Sequence, residues 1–313
     1  MVNMNQIVGS HDILFMTLDT LRYDVAQRCW AEGLTPNFAS ILPPTGWERR
    51  HSPGSFTYAA HQAFFAGFLP TSVEPGLHPR LFALQFPGSE TIADTTCVFD
   101  APDIVSGLAS RGYHTLCIGG VGFFNERTPL GTVLPGLFAE SHWSVELGVT
   151  DPHSMENQVG LAEQIIHRIA QSHQPERLGF EERLANVSPA RTEYSFDPVA
   201  SGRAAVRDGP RSGEERLFLF LNVSAIHQPN RFYLPDAKSD SLESHAAALQ
   251  YVDRQLPRLL EALGSRGPVF GIVCSDHGTA YGEDGYNGHR LAHPVVWDVP
   301  YAEFLLGNGH YEH

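Results

Sequence analysis

The sequence has two segments in which acidic and imidazole side chains directly follow apolar runs. Asp19 comes after the run DILFMTL, and Asp276 and His277 come after PVFGIVCS. Two carboxylates and an imidazole are groups that bind a divalent metal ion, so their convergence in one crevice would make a metal site. Each segment alone has a simpler interpretation, because an Asp after a strand is often a helix N-cap and an Asp-His pair is often a turn. The combination favours the metal site.

A third segment, SPGSFTYAAHQAFFAGFLP at positions 52–70, contains no Lys, Arg, Asp or Glu. Three hydroxyl residues, Ser52, Ser55 and Thr57, lead into an Ala- and Phe-rich run that is typical of a buried helix. A hydroxyl at a helix N-terminus lies beside unpaired N–H groups and the positive end of the helix dipole, both of which stabilise an anion. The helix is therefore either a core element or the support of a nucleophile.

Four apolar runs rich in β-branched and aromatic residues predict the strands that would position these groups. Such runs are typical of parallel strands buried on both faces. In an open α/β sheet, ligands bind beyond the carboxyl ends of the strands, which is where Asp19, Asp276 and His277 lie. The predicted strands are 12–18, 113–120, 217–224 and 268–275.

Helical patterns occupy 102–112, 155–172 and 241–267, and Pro257 predicts a kink or local break in the last of them. Strands that alternate with helices predict an α/β fold with a mostly parallel central sheet and helices on both faces. The chain 1–313 is predicted to be one catalytic domain. The polar segment 181–215 is interpreted as an insertion or lid, because it precedes a core strand.

The composition argues against several classes of protein. The 313-residue chain carries a net charge of −14, whereas nucleic-acid binders and proteins that bind anionic membranes need basic surfaces, so neither partner is expected. The N-terminus lacks the features of a signal peptide or a spanning helix, and the four cysteines show no C-x-x-C spacing. These features predict a cytoplasmic protein with reduced thiols.

Five segments in order resemble the motifs of the alkaline phosphatase and sulfatase superfamily, from about residue 12 to residue 302. The resemblance implies an alkaline-phosphatase-like fold, here without the C-terminal subdomain of many sulfatases. It also implies one divalent metal held by Asp19, Thr57, Asp276 and His277, with the nucleophile at Thr57. Ser55 and Ser52 are the alternative nucleophiles. The segments are ILFMTLDTLRYD, SFTYAAHQAFFAGFLP, NVSAIHQP, CSDHGTAYGEDG and GHRLAHPVVWDVPY.

The nucleophile segment departs from that of ordinary sulfatases. TYAAH replaces the C/S-x-P-x-R pattern, in which a Cys or Ser is oxidised to formylglycine, so that chemistry is not expected. With a threonine at the nucleophile position, the segment resembles instead that of the phosphoethanolamine transferases and lipoteichoic-acid synthases, which form a phosphothreonine. His227 in HQP and the spacing from His277 to His289 also match those transferases. The resemblance therefore implies a catalytic role for His227 and substrate binding by His61, His227 and His289.

Two carboxylates, an imidazole and an alkoxide favour Zn²⁺, with Mn²⁺ as the alternative, because Ca²⁺ prefers an all-oxygen shell. A second metal at His227 and His289 is less favoured, because no further Asp stands near His227. The predicted function is a metal-dependent hydrolase or transferase acting on a phosphate mono- or diester of a small molecule or modified peptide. The alternatives are a sulfate-ester hydrolase and a catalytically degenerate accessory or binding protein. A homo-oligomer is also considered, since a second copy would help to close the substrate pocket.

Overall fold

The computed structural model describes residues 2–67, 103–128, 130–172, 215–307 and 310–312. The strands in these ranges are β1 (Asp12–Leu18), β2 (Glu48–His51), β3 (Tyr113–Ile118), β4 (Glu140–His142), β5 (Arg216–Val223), β6 (Val269–Cys274), β7 (Ala280–Tyr281), β8 (Asn287–Gly288), β9 (Asp298–Gly307) and β10 (His310–Glu312). The α-helices are α1 (Met4–Ile7), α2 (Tyr23–Ala31), α3 (Pro36–Ile41), α4 (Thr57–Ala66), α5 (Ile104–Ser110), α6 (Ser154–Ser172), α7 (Leu242–Gly264) and α8 (Pro294–Trp297).

One mixed sheet organises the described part of the chain, with the strand order β10-β9-β6-β1-β5-β3-β4 and β2 paired to β9. The strands from β6 to β4 pair in parallel, whereas β9 pairs antiparallel with β6, β2 and β10. The predicted α/β fold with a mostly parallel sheet is therefore confirmed. The parallel strands β1, β5 and β6 end at the same edge, which is where the candidate site lies.

The central strands are buried because they separate two apolar cores. On β1, Leu14 and Met16 face a core built with α2, α3, α6 and α7, while Ile13 faces a second core shared with α4 and α5. On β5, Leu219 faces the first core and Phe220 the second. This alternation is the pattern expected of strands covered by helices on both sides.

The antiparallel edge of the sheet was not predicted. β9 has an alternating burial pattern, which is a strand signal, but it contains Pro300, and a proline argues against a strand inside a sheet. Pro300 is accommodated at the start of β9, where its neighbour across the ladder is Arg49 of the short strand β2. Its carbonyl accepts a hydrogen bond from Ser275 N, which joins β9 to the chain just before Asp276.

Of the kink or local break predicted at Pro257, the break is wrong, because α7 continues through it, and the kink stays a prediction. A proline leaves the carbonyl four residues earlier without its helical partner. Here that carbonyl belongs to Asp253, and it accepts a hydrogen bond from Asn37 Nδ2 at 3.1 Å. The Asp253 carboxylate in turn accepts from Phe38 N at 2.7 Å, at the start of α3. Leu256 and Leu259, on either side of Pro257, are fully buried and hold the helix to the core.

Other predictions are only partly covered by the described residues. Cys29, Cys117 and Cys274 are buried free thiols, as expected, while Cys97 lies outside the described residues. The polar segment 181–215 also lies outside them, apart from its last residue. Every helix in the described ranges is too short or too polar to cross a bilayer.

Candidate active site

The candidate site lies where β1 and β6, neighbours in the sheet, both end. Asp19 is the first residue after β1, and Asp276 and His277 follow β6 after a single residue. The three side chains are fully buried, and one ligand atom from each lies within 4.8 Å of the others. The sequence prediction that these residues converge is therefore met by the fold.

Helix α4 brings Thr57 to the same place. Its N-cap, Phe56, is extended (φ −161°, ψ 158°) and has no side-chain acceptor, so it cannot cap the N–H groups of the first turn. The turn before the helix is tight. A Cβ at Gly54 would lie 2.6 Å from Ala60 N, so only glycine fits there. The helix ends at Gly67, whose positive φ of 67° is the usual left-handed stop.

The Thr57 hydroxyl contacts two of the three candidate ligands. Its Oγ1 lies 3.3 Å from Asp19 Oδ2 and 3.3 Å from His277 Nε2. His277 Nε2 also lies 3.5 Å from Asp276 Oδ2 and 4.0 Å from Asp19 Oδ1. The Thr57 hydroxyl therefore lies next to the cluster formed by Asp19, Asp276 and His277.

The orientation of these groups is fixed by the backbone. His277 Nδ1 donates to Gly278 O at 2.8 Å, which leaves the lone pair of Nε2 facing the carboxylates. Asp276 Oδ1 accepts from His277 N at 2.9 Å and from Thr20 N at 3.2 Å. A Cβ at Gly278 would lie 2.0 Å from Val295 O, so the residue after His277 must be glycine for this loop to pack against α8.

The residues fit a divalent cation. Asp19 Oδ1 and Asp276 Oδ2 are buried and have no hydrogen-bond partner in the described part of the chain. Burial, together with the nearby Asp276 carboxylate, raises the pKa of Asp19 to about 6, and burial raises the pKa of Asp276 to about 7. Burial also lowers the pKa of His277. Two buried carboxylates beside a neutral imidazole lack the positive charge that a metal ion would provide.

These pKa shifts predict how pH affects the metal-free protein. Between the ordinary pKa of an Asp carboxyl, 3.8, and about 7, Asp276 keeps its proton in the folded state and loses it in the unfolded chain. Ionisation of this buried group therefore lowers the free energy of unfolding as the pH rises through that window. Asp276→Asn has no carboxyl group to ionise at this position, so its free energy of unfolding does not fall for this reason. We expect the stability of the variant relative to metal-stripped wild type to be greater at about pH 8 than at about pH 5 in thermal unfolding. A difference that does not change with pH would contradict the assignment.

Two further predicted site residues, His227 and His289, lie beside this cluster. The His289 ring centroid is 4.6 Å from that of His277 and 5.6 Å from that of His227. His227 Nδ1 donates to Gln228 O at 2.5 Å, so its Nε2 is the nitrogen left for other contacts. His289 Nδ1 is buried without a partner among the described residues. Burial, with the neighbouring imidazoles and Arg290, lowers the pKa of His289 to about 3.

His61, which was predicted to bond the substrate oxygens or Thr57, makes its hydrogen bonds inside the protein, one of them to Thr57. Its side chain is fully buried, and both ring nitrogens are engaged inside the protein, Nδ1 with Thr57 O at 2.7 Å and Nε2 with Thr17 Oγ1 at 3.0 Å. The ring packs against Phe124 and Phe220, and burial lowers its pKa to about 3. The helical spacing from Thr57 placed His61 on the correct face, but that face turns toward the sheet.

The two alternative nucleophiles are placed differently from Thr57. The Ser52 hydroxyl donates to the backbone carbonyls of Gly54, at 2.9 Å, and of Asp276, so it braces the loops of the site. Ser55 precedes the helix, and its carbonyl accepts from Arg290 N at 2.8 Å. Of the three hydroxyls, Thr57 is the one that contacts the side-chain carboxylate and imidazole atoms of the candidate metal site.

Sequence reasoning missed two polar residues next to the site. Thr17 and Asn222 are register partners on β1 and β5 and are fully buried. Asn222 Nδ2 lies 3.2 Å from Asp19 Oδ2 and 3.2 Å from Thr17 Oγ1. A polar residue near the carboxyl end of each of two apolar strands was the signal that could have identified them.

No protein-family model and no curated protein sequence matches this chain, but solved structures match its fold. The integral membrane protein lipooligosaccharide phosphoethanolamine transferase A (EptA) from Neisseria meningitidis aligns with a TM-score of 0.54 at 12% identity, over 96% of this chain and 48% of that one. The C-terminal periplasmic domain of EcEptC from Escherichia coli, solved in complex with Zn, gives 0.53 at 11% identity, over 96% and 74%.

A protein of the alkaline phosphatase superfamily from Vibrio parahaemolyticus gives a TM-score of 0.52 at 13% identity, over 96% of this chain and 61% of that one. The chain thus spans about half the length of EptA. At these identities the likeness shows the fold, which is that of the alkaline phosphatase superfamily.

Proposed function

We propose that this chain, which has an alkaline-phosphatase-like fold, is a metal-dependent enzyme that hydrolyses or transfers a phosphate ester through a covalent intermediate at Thr57. One observation carries the proposal. Thr57 Oγ1 lies 3.3 Å from both Asp19 Oδ2 and His277 Nε2, at the N-terminus of a ten-residue helix. A hydroxyl in this position is next to groups that can take its proton and to N–H groups that stabilise an anion.

Asp19, Thr57, Asp276 and His277 would hold one metal ion, with Zn²⁺ favoured and Mn²⁺ as the alternative. When bound there, a divalent cation lowers the pKa of the Thr57 hydroxyl and offsets the repulsion between the two carboxylates. One ion is favoured over two because, among the described residues, this group has the only three clustered His, Asp or Glu ligands. The Zn bound in the complex of EcEptC supports the choice of metal.

Each residue near the candidate metal site has its own role in the proposed reaction. The Thr57 hydroxyl donates its hydrogen bond to Asp19 Oδ2, so that oxygen is placed to take the proton as Thr57 Oγ1 forms a bond to phosphorus. The bond from phosphorus to the leaving oxygen breaks, and His227 Nε2 gives that oxygen a proton. His289 and the first-turn N–H groups of α4 hold the non-bridging oxygens. Water or an acceptor hydroxyl then attacks the phosphorus of the phosphothreonine and gives its proton to His227 Nε2. The bond from phosphorus to Thr57 Oγ1 breaks, and Oγ1 takes back the proton held by Asp19 Oδ2.

The substrate is proposed to be a phosphate mono- or diester of a small molecule or a modified peptide. A sulfate ester is the second candidate, because the two anions have similar shapes and Thr57 would accept either. Threonine has no route to formylglycine, so a sulfatase reaction here would proceed through the hydroxyl itself. A cytoplasmic location and a homo-oligomer remain predictions.

The proposed function is tested by metal exchange combined with a small substrate panel. We expect protein treated with a chelator to lose para-nitrophenyl phosphate or bis(para-nitrophenyl) phosphate hydrolysis by at least about a hundredfold, and Zn²⁺ or Mn²⁺ to restore it. Para-nitrophenyl sulfate should be turned over more slowly. Faster turnover of the sulfate would favour the second candidate. Protein that stays inert toward all three esters with either metal would contradict an esterase function and favour an accessory protein.

A further inference from the structure

Three polar side chains that have no part in the proposed reaction form a buried cluster beneath the site. Thr17, His61 and Asn222 are all fully buried, and we call them the Thr17–His61–Asn222 network. Thr17 and Asn222 face α4 from neighbouring strands that otherwise present aromatic and aliphatic side chains to it, such as Phe220. Burying three polar groups in such surroundings is costly unless their hydrogen bonds are made, so their arrangement needs a reason.

The direction of each hydrogen bond in the network follows from the chemistry of its ends. The Thr57 carbonyl can only accept, so His61 Nδ1 carries the hydrogen in the 2.7 Å contact. The ring lies among aromatic side chains and is neutral, so His61 Nε2 accepts the Thr17 hydroxyl proton at 3.0 Å. Thr17 Oγ1 is then left to accept from Asn222 Nδ2 at 3.2 Å.

The Asn222 amide connects these hydrogen bonds to Asp19. Its Oδ1 accepts from the backbone N–H groups of Gly120 and Val121, at 3.2 and 3.1 Å, which fixes how the amide is turned. Its two N–H hydrogens go to Thr17 Oγ1 and to Asp19 Oδ2. Gly120 cannot be replaced, because a Cβ there would lie 2.4 Å from Asn222 O. The glycine-rich segment CIGGVGFF therefore binds an amide oxygen through these N–H groups.

The two oxygens of the Asp19 carboxylate differ in their hydrogen bonds. Oδ2 accepts from Asn222 Nδ2 at 3.2 Å and from Thr57 Oγ1 at 3.3 Å. Oδ1 is buried without a partner in the described part of the chain and lies on the side of His277 Nε2. When hydrogen bonds hold one oxygen of a carboxylate, as they hold Oδ2 here, the other oxygen is presented to a metal in a fixed direction.

We propose that Thr17, His61 and Asn222 are positioning residues that turn Asp19 Oδ1 toward the metal and, through the Thr57 carbonyl, fix the first turn of α4. The proposal rests on the proposed function, because it takes Asp19 as a metal ligand and Thr57 as the nucleophile. It predicts that removing the Thr17 hydroxyl weakens metal binding although Thr17 would not touch the metal.

The test measures Zn²⁺ affinity by calorimetry on the full-length metal-stripped protein. We expect Thr17→Val, which keeps the shape but removes the hydroxyl, to weaken Zn²⁺ binding about 10-fold to 100-fold. Thr17→Ser, which keeps the hydroxyl, should bind nearly as the wild type does. His61→Phe, whose ring suits the aromatic surroundings, should show a loss similar to that of Thr17→Val.

Thr115→Val is the matched control. Thr115 is fully buried on β3, on the same face of the sheet, and its hydroxyl accepts from Ala139 N at 2.9 Å, so this variant loses a buried hydrogen bond away from the metal ligands. It should lower the unfolding temperature and keep wild-type Zn²⁺ affinity. The positioning proposal would be overturned by wild-type Zn²⁺ affinity in both Thr17→Val and His61→Phe, or by an equal loss of affinity in Thr115→Val. Either result would leave the proposed function standing. A wild-type protein that binds neither Zn²⁺ nor Mn²⁺ would overturn the proposed function as well.

Discussion

Replacing Thr57 by Ala should lower kcat/KM for phosphate esters by at least about a thousandfold, because the variant has no atom to accept the phosphoryl group. The rest of the site should stay intact, since Asp19 Oδ1, Asp276 Oδ2 and His277 Nε2 are oriented by backbone and network contacts other than Thr57. Zn²⁺ binding should therefore be weakened far less than turnover. The measurements are steady-state kinetics and calorimetry on the same preparation.

Two controls make this prediction specific to the Thr57 hydroxyl. Thr57→Ser keeps an oxygen at the N-terminus of α4 and should retain measurable turnover. Ser55→Ala removes the hydroxyl two positions upstream and should leave kcat/KM close to that of the wild type. Full activity in Thr57→Ala, or a large loss in Ser55→Ala, would show that the nucleophile had been assigned to the wrong residue.

Asp276→Asn should have two effects of opposite sign. It should abolish measurable Zn²⁺ binding and turnover, because it removes a charged ligand. It should also raise the unfolding temperature of the metal-free protein above neutral pH, because burial raises the pKa of Asp276 to about 7 and its ionised form is unfavourable in the fold. The Asn Oδ1 can keep the bonds from Thr20 N and His277 N. A gain of about 1 kcal/mol corresponds to about 1.5 °C in a chain of 313 residues.

Asp284→Asn is the matched control for charge. Asp284 lies in the same segment as Asp276, but its side chain is 80% exposed and pairs with His293 on the surface. Removing an exposed charge should change stability by less than about 1 kcal/mol and leave Zn²⁺ binding intact. The account would be contradicted if Asp276→Asn bound Zn²⁺ normally, or if its metal-free form were less stable than the wild type at about pH 8.

Much of the fold was predictable because burial on both faces leaves a strong pattern in the sequence. The runs around β1 and β6 are apolar at nearly every position, and their ends at Asp19 and Asp276 follow directly from where those runs stop. The burial of α4 was predictable in the same way, since an uncharged Ala- and Phe-rich helix must be buried, whereas the choice of Thr57 among three hydroxyls came from the family resemblance. Positions defined by the end of a buried element were therefore the reliable ones.

What the sequence could not show at Pro257 and His61 depends on contacts between residues far apart along the chain. Pro257 does not break α7 because Asn37 supplies the partner for the Asp253 carbonyl, a contact that no local pattern reveals. The role of His61 depends on which way its ring turns, and that is set by Thr17 on another element. The two cases have one cause. The local rule was correct, and a tertiary hydrogen bond changed its consequence.

Diffraction at the zinc absorption edge from crystals of the protein soaked with Zn²⁺ and orthovanadate tests the central claim most directly. Vanadate imitates a phosphoryl group in transfer, so it reports the position of the nucleophile. The account predicts an anomalous peak for a zinc ion bonded to Asp19 Oδ1, Asp276 Oδ2 and His277 Nε2. It also predicts that Thr57 Oγ1 is bonded to vanadium. A zinc peak elsewhere in the molecule, or vanadate bound away from Thr57, would contradict it.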